Sequence, residues 1–151
     1  MDFMNLYTKL NDFSQVMLFN KSVPAEKIDE FQKENRLKLP DSYIRLLKCF
    51  DGGELFVPGT VIYGIVEEIN GNTLKDINGK QNRKNFSIPS TYLIIGKLNY
   101  GDWLCIDLNK KNEIIQWDHE LDKEFCRWSS LENWVEETID EYIEHEGDVQ
   151  S

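Results

Sequence analysis

The chain has 151 residues, 40% of them apolar and 12% aromatic. That supports one domain burying roughly two-thirds of its unfolded surface and excludes a disordered polymer. The net charge of −10 argues against direct nucleic-acid binding through cationic phosphate contacts, and no apolar run approaches the roughly 20 residues a bilayer span requires.

In chain order, the opening "MDFMNLYTKLNDF" has no basic start, apolar stretch or small-residue cleavage site, so no signal peptide is expected. Phe3, Leu6, Tyr7, Leu10, Phe13 and Met17 fall at helical spacing and predict a first helix. "SVPAEKIDEFQKEN" (22–35) predicts a second, with Ser22 as cap, Pro24 in the first turn and Ile28 and Phe31 facing inward. "LPDSYIRLLKCFDGGEL" (39–55) predicts a third. Pro40 starts it, Tyr43, Leu46, Leu47 and Phe50 share one face, and Gly52-Gly53 closes it and turns the chain toward a strand.

Beyond that point the period changes. "TVIYGIV" (60–66), "YLIIGKL" (92–98), "DWLCIDL" (102–108) and "EIIQWDH" (113–119) predict strands. Short connectors at 99–101 and 109–112 make the last three an antiparallel meander. Residues 67–89 are polar and locally basic, compatible with a short helix, a loop or both. A final helix is capped by Ser129 or Ser130. It buries Leu131, Trp134, Val135, Ile139, Tyr142 and Ile143, while Glu136, Glu137, Asp140, Glu141 and Glu144 cover its other face. Helices, then an antiparallel sheet, then a helix make an α+β fold: N-terminal helices and a C-terminal helix packed with a twisted, mostly antiparallel sheet. Residues 1–151 form a single domain, with 1–21 as an N-terminal helical extension and 67–89 as a variable polar region.

The charge is uneven. Residues 113–148 hold 13 acids against Lys123 and Arg127, so the rest of the chain is close to neutral. Such a surface steers a basic partner, or else serves only as a solvated face. Three cysteines (Cys49, Cys105 and Cys126) without CxxC spacing point to reduced thiols and a cytoplasmic setting.

Catalytic chemistry has weak support. A pairing of Cys126 with His119 is conceivable, and Asp102, Asp107, Asp118, Glu120 and Asp122 supply carboxylates, but no nucleophile context surrounds them. No GxGxxG, GxxxxGK[ST] or GxSxG motif occurs, and the ligand spacing of structural zinc is absent. We expect no catalysis, no metal and no cofactor. Trp103 and Trp117, beside Asp102 and Asp118, have the composition of an interface hot spot.

The acidic helix leading to "LPDSY", the Gly-Gly stop, "GDWLCIDL", "IIQWDHE" and "SSLENWVEE" occur in an order that resembles the SUKH superfamily. That superfamily includes the fungal cell-wall-assembly regulators and many bacterial immunity proteins. The matching segments are 28–53, 95–120 and 129–143; the first helix and residues 67–89 lie outside them. The resemblance implies a cytoplasmic, non-catalytic immunity protein. It would bind and block the C-terminal domain of a cognate LXG-type polymorphic toxin, often a nuclease, by stoichiometric occlusion. A nuclease carries a basic substrate groove, which an acidic inhibitor complements. The expected contacts are Asp102, Trp103, Trp117, Asp118, Glu120, Asp122, Glu136, Glu137, Asp140 and Glu141. A homodimer is possible, with no membrane and no direct nucleic-acid contact. The alternative is a regulatory or scaffolding adaptor like the fungal relatives.

Overall fold

The apolar positions at helical spacing are the ones that leave water. Phe3, Leu6, Leu10, Ile28, Tyr43, Leu46, Leu47 and Phe50 are all buried. The computed structural model describes residues 3–84 and 87–150. Helix α1 (Phe3–Asn11) is followed by a 3-10 turn (Ser14–Val16) and a short strand, β1 (Leu18–Phe19). Helices α2 (Ala25–Asn35) and α3 (Asp41–Cys49) come next, then strands β2 (Gly53–Leu55) and β3 (Thr60–Ile62). Two short helices, α4 (Leu74–Ile77) and α5 (Lys80–Arg83), precede β4 (Tyr92–Lys97), β5 (Trp103–Asp107), β6 (Glu113–Asp118) and β7 (Lys123–Trp128). Helix α6 (Leu131–Gln150) ends the fold.

The strands form one seven-stranded sheet in chain order, each antiparallel to its neighbour. Helices α1, α3 and α6 pack together, α6 lies on β6 and β7, and α4 rests on β4. Leu104, Cys105 and Ile106 are consecutive and all buried, so β5 is covered on both faces. The architecture is the expected α+β type, with N-terminal and C-terminal helices around an antiparallel sheet. No described helix is long and apolar enough to cross a membrane.

Several local expectations need correction. The first helix stops at Asn11, because Asp12 and Ser14 favour turns; Met17 is still buried, its sulfur accepting the Phe56 N–H at 3.3 Å. Ser22 does not cap α2; Pro24 is the cap residue, and its carbonyl accepts from Lys27 and Ile28. The glycines do not close α3 either. That helix ends on extended Phe50, whose N–H bonds the Leu46 carbonyl. Gly52 (φ 72) and Gly53 (φ 148) lie beyond it, where the chain enters the sheet. A Cβ on Gly53 would sit 2.0 Å from the Leu18 carbonyl oxygen, so only glycine admits the β1–β2 pairing.

The strand expected over 60–66 ends at Ile62. The reason is Asp51, 1% exposed, whose carboxylate accepts the backbone N–H groups of Ile65 (2.7 Å), Val66 (2.9 Å) and Glu67 (2.8 Å). Amides held by a side chain cannot also join a strand ladder. Tyr43 closes the same junction by donating its hydroxyl to the Tyr63 carbonyl. The polar 67–89 segment contains α4, held by a capping box between Thr73 and Asp76, and α5. Ser130 caps α6 through the Asn133 N–H at 3.1 Å. The α6 stripe leaves the core at its end: Tyr142 is only half-buried, against the rings of Phe13 and Phe56, and Ile143 is exposed.

A buried carboxylate with three amide donors is worth more than a neutral turn contact, at about 1.5–3 kcal/mol per charged hydrogen bond before relaxation. Asp51→Ala is expected to lower the unfolding free energy by about 3 kcal/mol or more, measured from urea midpoints. A loss below about 1 kcal/mol would show that the junction does not depend on Asp51.

Candidate functional site

The turns β4–β5 and β6–β7 lie at the same end of the sheet, because β5 and β6 pair with Trp103 opposite Trp117. Asp102 precedes β5 and is 6% exposed. Its Oδ2 accepts Gln116 Nε2 at 2.7 Å, and its Oδ1 accepts the His119 N–H at 3.1 Å and lies 2.6 Å from His119 Nδ1. Gln116 Nε2 also donates to the Tyr100 hydroxyl at 2.9 Å, and its Oε1 faces the Cys126 thiol at 3.9 Å. One buried carboxylate thus fixes Tyr100, His119 and the β6–β7 strand pair together. Burial pushes the Asp102 carboxyl up, but the hydrogen bonds from Gln116 and His119 outweigh it and hold the group below its ordinary value.

The β6–β7 turn is built by its own acids. Asp118 Oδ1 accepts the N–H groups of Glu120 (2.8 Å) and Leu121 (2.9 Å). Asp122, in the left-handed region at φ 54, accepts Trp117 Nε1 at 3.0 Å. Hydrogen bonds from Ser87 and Trp117 hold its carboxyl below the usual range. Strand β7 carries a bulge opposite Gln116 and Trp117, and Phe125 falls within it.

The expected contact residues divide by burial. Glu120 and Asp122 are exposed on the turn, and Glu137, Asp140 and Glu141 on α6, with Glu136 and Asp118 half-buried. Trp103 is half-buried, with Lys97 Nζ 4.8 Å from its ring centroid. Asp102 and Trp117 (8% exposed) are inside, so neither offers a face to a partner, and each instead positions the turn beside it. Tyr100, Leu121 and Phe125, not singled out from the sequence, are 59%, 66% and 65% exposed at this same end. The available signal for the strand that presents Phe125 is the content of "FCRW", where Phe125 and Trp128 are residue types enriched in strands, although the segment does not alternate.

The turns and α6 share one field. Beyond the larger effect of burial, the Glu141 charge pushes up both the Tyr100 hydroxyl and the Cys126 thiol. Glu141 itself is pushed up by burial and then by Glu137 and Glu144, the like-charge crowding of an acidic helix face.

Cys126 and His119 are not joined as a nucleophile and base. The thiol faces Gln116, His119 faces Asp102, and burial and neighbouring acids push the thiol away from the thiolate form. Burial pushes the Cys105 thiol up to about 12. Among the described residues, Asp102, Asp118 and His119 bring one donor atom each within 4.8 Å of one another. Within it Asp102 bonds Gln116 and His119, and Asp118 bonds the Glu120 and Leu121 amides. Arg127, also overlooked, ties the sheet near its other end: it contacts Asp107 (3.1 Å), Glu113 (2.9 Å), Glu124 (2.8 Å) and the Tyr92 hydroxyl (2.9 Å).

Residues 22–137 match the SMI1 / KNR4 family (SUKH-1), and the chain belongs to that family. No curated protein matches the chain at the level required for a relative. The match begins at residue 22, so α1 and β1 precede it.

Asp102 has a lowered folded pKa, so its contribution to stability is complete above the unfolded value of 3.8 and is lost as pH falls through the folded value. Asp102→Asn is expected to cost about 1–3 kcal/mol at pH 7. The difference from the native chain should shrink once the pH falls below 3.8. Urea midpoints across pH test this; a deficit that does not change with pH would contradict it.

Proposed function

We propose that this SUKH-1 member is an immunity protein. It binds the C-terminal domain of a cognate LXG-type toxin, a nuclease, one to one, and covers that domain's basic substrate surface. The observation that carries the reading is the end of the sheet where Tyr100, Leu121 and Phe125 stand exposed among Asp118, Glu120, Asp122 and Glu124. Large apolar side chains inside a charged rim are the composition of a binding hot spot. Asp102 and Trp117 hold the turns that carry this surface, so a partner meets a preformed shape. Preorganisation lowers the ordering cost of association.

Helix α6 extends the same surface through Glu137 and Glu141, whose charges act on Cys126, and we count half-buried Glu136 and exposed Asp140 among the contacts. Crowded carboxylates repel one another in the free protein, and a basic partner removes that repulsion on binding. Protection against a toxin in the same cell needs nanomolar affinity or better, roughly 12 kcal/mol. The apolar trio supplies area, and the acids supply steering and salt dependence.

Co-expression with the C-terminal domain of a toxin encoded beside this gene is expected to restore growth and yield a one-to-one complex. Raising salt from roughly 0.05 to 0.5 M should weaken that complex at least tenfold. Leu121→Ser with Phe125→Ser should weaken it at least tenfold while leaving the circular dichroism unchanged. Glu141→Gln separates surface from scaffold: it should raise the stability of the free protein by roughly 0.2–0.5 kcal/mol and weaken the complex. No complex and no rescue would overturn the reading and favour an adaptor with a cellular partner.

A further inference from the structure

At the opposite end of β4 and β5 the surface has the other sign. A cleft of about 540 Å³ opens between the C-terminal end of α2, the α4–α5 segment and the strand ends at Tyr92 and Leu108. Among the described residues four basic ones line it (Arg36, Lys75, Lys80 and Arg83), and no acidic one does. Its floor is apolar, formed by Phe31, Leu74, Leu93 and Leu108. The volume falls within the range of small-molecule sites, roughly 300–1,000 Å³.

Arg83 is the informative member. Its guanidinium is half-buried and held by neutral acceptors: Nη1 donates to Asn78 Oδ1 (3.2 Å) and the Tyr92 carbonyl (2.9 Å), and Nη2 to the carbonyls of Ile88 (3.3 Å) and Pro89 (2.7 Å). Burial lowers its pKa, so the protein disfavours this charge where it stands. Among the described residues no carboxylate pairs with Arg83, nor with Arg36, Lys75 or Lys80. The one acid inside α4, Asp76, is turned to the Thr73 capping box. Four cations around an apolar floor, without a counter-charge, repel one another unless an anion joins them. The carbonyl clamp explains why Arg83 is fixed, but it does not explain the other three.

We propose that this cleft binds a small organic anion, an aromatic or aliphatic body bearing a phosphate or carboxylate group. The body lies on the Phe31–Leu74–Leu93 floor, and the anionic group meets Arg83 with Lys75 and Lys80. All four Nη–H groups of Arg83 are already taken, so it contributes fixed positive charge and its Nε–H, and the exposed Lys75 and Lys80 ammonium groups supply the other donors. The site is separate from the acidic end of the sheet and does not depend on the immunity reading.

The test is titration of the full-length, ¹⁵N-labelled protein with phenyl phosphate, followed by amide shifts. Saturable shifts confined to Leu37, 74–83 and Leu93, with a Kd below roughly 1 mM, are expected. Lys75→Gln with Lys80→Gln should weaken binding at least tenfold while leaving the other amides, and the affinity for the toxin domain, unchanged. These exposed lysines avoid the folding risk of Arg83→Gln, which also releases the carbonyls at 88, 89 and 92. Inorganic phosphate and benzyl alcohol should each bind at least tenfold more weakly than phenyl phosphate. Equal binding of inorganic phosphate would mean an adventitious ion only, and equal binding of benzyl alcohol an apolar crevice only; either overturns the proposal. So does saturation by a glutamate-rich peptide when phenyl phosphate gives no shift, which would assign the cleft to an acidic segment of a protein.

Discussion

Three successive amides end on one buried carboxylate, and the path of the chain depends on it. Burying a charged Asp costs several kcal/mol unless its lone pairs are met, and the N–H groups of Ile65, Val66 and Glu67 meet those of Asp51. The residue sits just past α3, so the helix layer and the sheet are joined through it. Tyr43, packed inside α3 and bonded to the Tyr63 carbonyl, fixes the same junction from the helix side. Because these amides leave the ladder, the chain departs from β3 and returns only at β4. The excursion between them forms α4 and α5, and with them the basic cleft.

The sheet then separates two surfaces of opposite character. At one end Asp102 and Gln116 gather two turns and a strand pair into a fixed acidic platform, with exposed Tyr100, Leu121 and Phe125 on it. At the other, Arg127 closes a network across the sheet while Arg83 and its basic neighbours face a cleft with no acid among its described lining residues. The net charge of −10 hides this division. Family membership gives a shared SUKH-1 scaffold, and the two ends are the surfaces we propose for a partner and a ligand.

Much of the architecture was legible in the sequence, where periodicity is strong and the core enforces it. Tyr43, Leu46, Leu47 and Phe50 all lie inside as their spacing requires, and β4, β5 and β6 start within a residue of their apolar runs. Short elements were not legible. Strand β1 has two residues and β2 three, and both exist through pairing with each other and with β3, a tertiary cause that no local pattern carries. The Gly-Gly pair reads as a helix stop and a turn toward a strand; the turn into β2 is found, while α3 ends earlier, on Phe50. For the site, the acids on α6 and the β6–β7 turn were readable as surface, while Asp102 and Trp117 were not readable as buried. Whether a carboxylate faces water or a Gln116–His119 pair depends on strand register, which sequence alone leaves open.

Hydrogen-exchange mass spectrometry of the complex with the toxin domain tests the central claim most directly, because it locates the partner on the surface. The account predicts new protection in segments spanning 99–101, 119–126 and 136–144, with exchange around the cleft at 31–37 and 74–83 unchanged. Protection centred on the cleft, with the acidic end exchanging as in the free protein, would contradict it.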